Sequence, residues 1–353
     1  MERKLASIQS VVSVEPIEGA DRIEKIQVLG WRLVAKKGDF RPGDLCVYFE
    51  IDSLLPESPE FEFLRERKFR IRTMKMRGAI SQGLAMPLSV VTDTLSITLD
   101  EIADENGVPL QEGDDVTELI GVKKYEPPIP MNLSGEIFGT FPTHLLPKTD
   151  EQRLQSAPGV LEEIKDKTVY VTAKMDGTSA TYYLGPDGHF GVCSRNWELK
   201  PDDANVLWQL AKKYDIETTL RAMADQFGYH LAVQGEACGP GIAGNRMQLK
   251  EHRLFVFNVY SIDRREYWAP EFIGSFSLVM PGDLEGVPLL DILVPEEQPK
   301  TVDEWLVHAE RFYQGQSVEG IVVRSMREEY SPTLQGRLSF KVVSNRYLLE
   351  HGE

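Results

Sequence analysis

The spacing of apolar and polar positions changes character along the chain. In the first 120 residues the apolar positions fall in short runs rich in β-branched and aromatic side chains: 11–14, 23–28, 31–34 and 45–51. Such runs predict strands. Glu18-Gly19-Ala20-Asp21, Lys37-Gly38-Asp39 and Arg41-Pro42-Gly43-Asp44 stand between them as turn clusters. Several short strands without a long helical period predict a small barrel.

Beyond it the segment 99–119 is acidic and predicts an exposed excursion. Pro127, Pro128 and Pro130 then continue neither a helix nor a central strand. They mark a boundary, with a domain at 1–121, a linker at 122–140 and a second domain at 141–353. That second part mixes two periods and predicts an α+β fold. Strands are expected at 168–173, 178–184, 190–194, 231–236, 254–262, 320–324 and 338–343, with Gly185-Pro186-Asp187-Gly188 as a hairpin connection. Helices are expected at 203–214, 216–227 and 302–313, the last behind the capping-box spacing of Thr301 and Glu304.

Composition narrows the function classes. The 353 residues favour two domains. No apolar run approaches the roughly 20 residues that span a bilayer, and no signal peptide is read at the N-terminus. The expected location is the cytoplasm, or the nucleus of a eukaryote. Cys46, Cys193 and Cys238 are widely spaced in apolar stretches, which predicts small core residues rather than a disulfide or zinc framework. The net charge of -16 disfavours nonspecific coating of nucleic acid. Between Arg65 and Arg77, however, seven basic residues stand against one acid. A basic strip on an acidic body suits a grip on a polyanion at one place.

The candidate chemistry lies in the second part. Lys174 ends an apolar strand and is followed by Met175-Asp176-Gly177. Four further strands carry charges among apolar neighbours: Ser194-Arg195-Asn196, Gln234-Gly235-Glu236, Glu319-Gly320-Ile321-Val322-Val323-Arg324 and Ser339-Phe340-Lys341. Burying such charges is costly unless they are paired or meet a ligand. Lysines, arginines and carboxylates recurring in one domain suggest a charged ligand and a metal.

In this order, with Phe255-Val256-Phe257-Asn258-Val259 between the third and fourth, these segments resemble the motif set of covalent nucleotidyltransferases. That superfamily includes DNA and RNA ligases and capping guanylyltransferases. The N-terminal part, with Ala20-Asp21-Arg22-Ile23-Glu24 and Arg77-Gly78-Ala79-Ile80-Ser81-Gln82-Gly83, is similar to an oligonucleotide-binding (OB) barrel. The segment from Pro147 to Gln155 resembles one that precedes the nucleophile in repair RNA ligases. An N-terminal OB-type barrel joined to an adenylyltransferase domain of antiparallel sheets and flanking helices resembles the ATP-dependent RNA ligases of the Deinococcus/Naegleria type. The chain given ends ten residues after Val343, so the C-terminal OB domain of DNA ligases and capping enzymes is not expected. Those enzymes, and a non-catalytic RNA-binding protein, stand as the alternatives.

The resemblance implies joining of RNA 3′-OH and 5′-phosphate ends through a lysyl-AMP intermediate and an adenylylated 5′ end. Lys174 would be the nucleophile. Lys341 would hold the α-phosphate, Arg195 the ribose or incoming 5′-phosphate, and Arg153 the triphosphate. Glu236, Glu319 and Asp176 would hold Mg²⁺ or Mn²⁺ directly or through water. Phe257 would stack on the purine, with Thr172, Ala173 and Gly177 completing the ATP site. RNA, as a nicked duplex with one strand allowed to be DNA, is the expected partner of a monomeric, membrane-free protein. Ser339 departs from the family pattern, which often has a lysine there; Arg337 or Arg346 are candidates to replace it.

Overall fold

The computed structural model describes residues 3–95, 110–126, 133–270, 283–313 and 318–351. They form two compact units. One draws on Met1–Pro127, Leu154–Pro158 and Asn345–Glu353, the other on Pro128–Arg153 and Gly159–Ser344.

The first unit is built on a five-stranded antiparallel sheet, in the order Trp31–Lys36, Ile23–Val28, Ala6–Pro16, Leu45–Phe49 and Leu84–Pro87. Alternate residues of its strands point inward, so Val11, Ile26, Val28, Trp31, Leu33 and Tyr48 are buried on one face. This is the expected OB-type barrel. Two distant pieces of chain complete the unit. The Trp31 indole donates to Ser156 Oγ at 3.2 Å, and Gln82 Nε2 donates to Asn345 Oδ1 at 3.0 Å. The helix Asn345–His351 buries Tyr347 and Leu348.

Two expectations change here. Residues 99–109 of the acidic segment lie outside the described residues; in 110–119 Glu112, Asp115 and Glu118 are exposed as expected, but the segment is tied to the sheet rather than an excursion. Its amides and carbonyls pair with Ala6 and Ile8, and Val116 is fully buried. Val116 and Ile120 supply the apolar contacts that outweigh the surrounding acids. Of the expected linker, 127–132 lie outside the described residues. Lys123–Lys124 pair with Ser53–Leu54, and Ile137–Thr140 form a strand of the second unit.

The second unit holds two sheets. The larger runs Ile137–Thr140, Trp197–Leu199, Phe190–Cys193, Thr178–Leu184, Leu231–Cys238, Arg253–Ser261 and Glu266–Tyr267, with Glu285–Gly286 parallel to Arg253–Ser261. Helices Val206–Lys213 and Ile216–Phe227 bury Leu207, Leu210, Ile216 and Leu220 in a core shared with Tyr182, Val192 and Val233 of this sheet. Asn205 caps the first of them by accepting from the amides of Leu207 and Trp208.

The smaller sheet runs Gln152–Arg153, Ser339–Val343, Val318–Ser325, Val169–Met175 and Leu289–Leu293. Its apolar face includes Phe340, which meets Trp305 of helix Val302–Phe312 edge to face. That helix begins with the expected capping box at Thr301 and Glu304. The opposite face carries the charged side chains. Period-two alternation along the paired strands assigns Tyr170, Thr172 and Lys174 to it, with Gly320, Val322 and Arg324 beside them and Ser339, Lys341 and Val343 beyond.

Candidate active site

Lys174 is positioned by the strand Val169–Met175, whose β-branched residues favour extended backbone. Ala173 and Met175, on the side away from Lys174, are buried against Cys238 and Phe255. That contact fixes the pleat and turns the lysine to the charged face.

Lys174 pairs with Gly320 and Met175 with Val318, so Glu319 is an extra residue in its strand. A bulge of this kind re-aims a side chain. Here the Glu319 carboxylate meets Lys174 Nζ in an ion pair. Gly320 is required by close approach: a Cβ there would lie 2.7 Å from Val343 Cα and closer still to the Val342 carbonyl oxygen.

Asp176 and Gly177 follow directly. A Cβ on Gly177 would lie 2.7 Å from Cys238 Sγ and 2.9 Å from Glu236 Cγ. Glycine therefore lets the turn after the nucleophile press against the strand that carries Glu236. The buried Asp176 carboxylate is ion-paired with Arg246. Burial, then Glu319, raises its pKa, while Arg246 and Lys174 oppose the rise.

Glu236 is the most perturbed carboxyl of the group. Burial pushes its pKa up to about 8, Glu319 and Asp176 add to the rise, and Lys174 and Arg195 counter it. Solvent still touches part of the residue.

The remaining candidates surround these groups. Lys341 stands across from Val322 on one side and Arg153 on the other. The buried Arg153 thus sits beside Lys341 at the sheet's edge. Thr172 is in the same register row, opposite Val322. Arg195 is an exposed side chain paired with Asp150. Phe257 is the unpaired residue of a second bulge, because Gln234 faces Asn258 while Gly235 faces Val256. It is partly buried. Ala173 is buried on the other face, and its amide donates to the Pro288 carbonyl at 2.9 Å, so that amide is not open to an adenine edge. All three cysteines are buried free thiols, as expected.

Three site neighbours were given no role by the sequence. Asp150 partners Arg195, Arg324 lies on the charged face, and Arg246 meets Asp176. Arg246 follows a loop in which Ala243, Gly244 and Asn245 have positive φ. The sequence offered one signal, the Gly239-Pro240-Gly241 cluster that ends the Glu236 strand. Of the two alternatives to a lysine at 339, Arg337 is not an open cation. Arg337 donates to Glu328 at 2.9 Å and to Asn258 at 2.8 Å and covers the Tyr267 ring. Arg346 belongs to the first unit and lies 3.8 Å from Glu350.

Comparison with known proteins agrees with this geometry. An RNA ligase family model matches residues 167–343, and an OB-fold domain model matches residues 5–88. No curated protein matches the chain. Among solved structures, the Naegleria gruberi RNA ligase is similar over nearly its whole length. An apo aspartate mutant shares 37% identity, covers 98% of this chain and 97% of its own, and superposes with a TM-score of 0.83. A lysine-to-alanine mutant with ATP and Mn and the enzyme with pyrophosphate each give 37% identity, 98% coverage of both chains and a TM-score of 0.82. The fold is that of an RNA ligase. The chain belongs to the RNA ligase family.

Proposed function

We propose that the protein is an ATP-dependent strand-joining enzyme in which Lys174 carries AMP between ATP and an RNA 5′-phosphate. The observation that carries this reading is Lys174 itself, ion-paired to Glu319 on the sheet face that also bears Lys341 and Arg153. The complexes of the Naegleria enzyme with ATP and Mn support ATP as substrate and a divalent ion as cofactor.

The reaction has three transfers. Lys174 Nζ attacks the α-phosphorus, forming a P–N bond as the bond to pyrophosphate breaks and a proton leaves the nitrogen. A 5′-phosphate oxygen then attacks the same phosphorus, and the P–N electron pair returns to Nζ, which regains a proton. Last, an RNA 3′-OH attacks the 5′-phosphorus, forms the phosphodiester and expels AMP, its proton passing to solvent.

Each residue has a task in this sequence. Glu319 holds Lys174 in place, and must release the ammonium or take its proton before attack. Lys341 and Arg153 meet the negative oxygens of the triphosphate, where charge develops. Arg195 exchanges Asp150 for the ribose or the 5′-phosphate. Phe257 stacks on the purine, and Thr172, beside the nucleophile, lines the nucleotide site.

Glu236, Glu319 and Asp176 are hard oxygen donors that suit Mg²⁺ or Mn²⁺. The surroundings of Glu236 fit this role: burial above all raises its pKa, and Glu319 and Asp176 add like charge that a cation would relieve. Among the described residues no three His, Cys, Asp or Glu side chains form a direct ligand set; these carboxylates would hold the ion in part through water. When bound, the ion neutralises charge on phosphate oxygens and on the carboxylates around Lys174.

We place the substrate at nicks in duplex RNA, one strand of which can be DNA, and the OB-type barrel on the duplex. The protein acts as a monomer in the cytoplasm, or in the nucleus of a eukaryote. Among the described residues no helix is long and apolar enough to cross a membrane. The test is incubation with α-labelled ATP and Mn²⁺, followed by a denaturing gel. The wild type is expected to carry a covalent label that Lys174→Ala lacks. Label retained in that variant, or wild type labelled by GTP alone, would overturn the reading.

A further inference from the structure

Arg324 is a cation with no role in the scheme above, and it is only 4% exposed. It lies five residues after Glu319 on the same strand, opposite Tyr170 on one side and Ser339 on the other. Period-two alternation puts it on the face of Lys174 and Lys341, one register row beyond Lys341. Its Nε donates to Ser339 Oγ at 3.0 Å, and its Nη2 donates to Glu151 Oε1 at 3.0 Å.

The partner matters more than the cation. Glu151 directly precedes the strand Gln152–Arg153, which has just two register pairs: Gln152 with Phe340 and Arg153 with Lys341. Two pairs hold an edge segment weakly. Gln152 adds a hydrogen bond from Nε2 to the Leu334 carbonyl at 2.9 Å. The Arg324–Glu151 ion pair anchors the N-terminal end of the segment from the buried side. Loss of Arg324 would free that end and leave a mostly buried carboxylate unpartnered, which is destabilising locally. Ser339 is small enough to leave the guanidinium this place while still accepting a hydrogen bond.

We propose that Arg324 is a positioning residue for the first transfer: through Glu151 it pins the segment that sets Arg153 beside Lys341. Two cations addressed to one triphosphate are then held at a fixed spacing. This rests on the adenylylation reading, and it assigns to Arg324 a task separable from strand sealing. Sealing of an RNA that already carries AMP on its 5′ end begins after the triphosphate has gone.

The experiment compares wild type, Arg324→Met, Glu151→Gln, Arg324→Lys and the double variant Arg324→Met/Ser339→Lys. Single-turnover lysyl-AMP formation is measured at saturating ATP, alongside sealing of pre-adenylylated RNA. Displacement of a substrate-orienting group costs on the order of a hundredfold in rate, so Arg324→Met and Glu151→Gln should slow adduct formation by about thirtyfold or more. Sealing should stay within about threefold, because no triphosphate is bound in that step. Arg324→Lys or the added lysine at 339 should recover about tenfold, since either ammonium can reach Glu151.

Adduct formation within about twofold of wild type in both Arg324→Met and Glu151→Gln would overturn the proposal. So would an equal loss in both reactions, or failure of both lysine variants to recover rate in folded protein. Should Arg324→Met not fold, Glu151→Gln alone decides by the same two rates. A wild type that forms no adduct would instead remove the adenylylation reading itself.

Discussion

The two charge-rich regions of this protein are built on opposite principles. In the first unit the strip from Arg65 to Arg77 is folded in two. It is a 3₁₀ helix, Pro59–Arg67, then a hairpin, Thr73–Met76 and Ala79–Gln82, whose turn is Arg77-Gly78. Arg72, Lys75 and Arg77 are exposed. In the second unit, Lys174, Glu319, Asp176 and Arg246 are mutually paired, and Glu236 is pressed among them. Exposed charges act through a salt-screened field. Buried ones act through position and protonation, because each uncompensated charge is costly. The first region should therefore respond to ionic strength, the second to sub-ångström geometry and to pH.

Strict geometry gives the largest expected effect. Gly177→Val would drive a branched side chain into Cys238 and Glu236, where even a Cβ has no room. A shift of about 1 Å at the nucleophile costs about a hundredfold in rate, so lysyl-AMP formation should fall by at least that much. Gly159→Ala is the control, since its Cβ would meet Thr333 at an ordinary 3.6 Å. Single-turnover labelling of both variants measures this. Normal labelling in Gly177→Val would show that the buried cluster tolerates displacement as readily as the exposed strip.

Protonation gives the next effect. The Glu236 carboxyl has its pKa raised to about 8 in the folded protein, against about 4.3 when unfolded. Between those values the folded state binds more protons than the unfolded state. Stability contributed by the neutral carboxyl is thus present below the lower value and lost as pH rises through the upper one. Metal-free melting temperatures of the wild type should decline from pH 5 to pH 8 more steeply than those of Glu236→Gln. Each pKa unit corresponds to about 1.4 kcal/mol, so the whole effect is a few kcal/mol at most. Parallel profiles for the two proteins would mean that Glu236 stays ionised and that its neighbours do not repel it.

The same contrast explains what could be read from sequence. Lys174, Glu236, Glu319 and Lys341 were legible because each interrupts an apolar strand, and period-two alternation needs no tertiary information. The strand Thr178–Leu184 was legible from its run of β-branched and aromatic residues, and the helix Ile216–Phe227 from the helical spacing of its apolar residues. Arg246, Asp150 and the link from Arg324 to Glu151 were not. Arg246 depends on a loop of left-handed residues, and Glu151 meets Arg324 across 173 positions of chain. Arg70 misled in the other direction. It counts as basic in the strip, yet its side chain is 10% exposed, 3.0 Å from Asp52 and stacked on Tyr125 at 3.7 Å. Composition records charge and is blind to the pairing that withdraws it.

The exposed strip gives the smallest effect, and the most specific one. With Arg70 withdrawn and Arg65 held by Glu62 at 2.5 Å, the hairpin and its approach carry the open charges. Reversal of Arg72, Lys75 and Arg77 to Glu should weaken binding of a nicked RNA duplex by about tenfold at low salt. It should also lower the slope of log affinity against log salt by about 2, since each phosphate contact contributes nearly one unit. Fluorescence anisotropy across a salt series measures both. Lysyl-AMP formation should stay within about twofold, because none of the three residues has a part in the nucleotide transfer and exposed charges are screened by salt. An unchanged salt slope would assign these three residues to solvent alone. An equal fall in adenylylation would remove the distinction between the two regions, and with it the view that one grips the polyanion while the other performs the transfer.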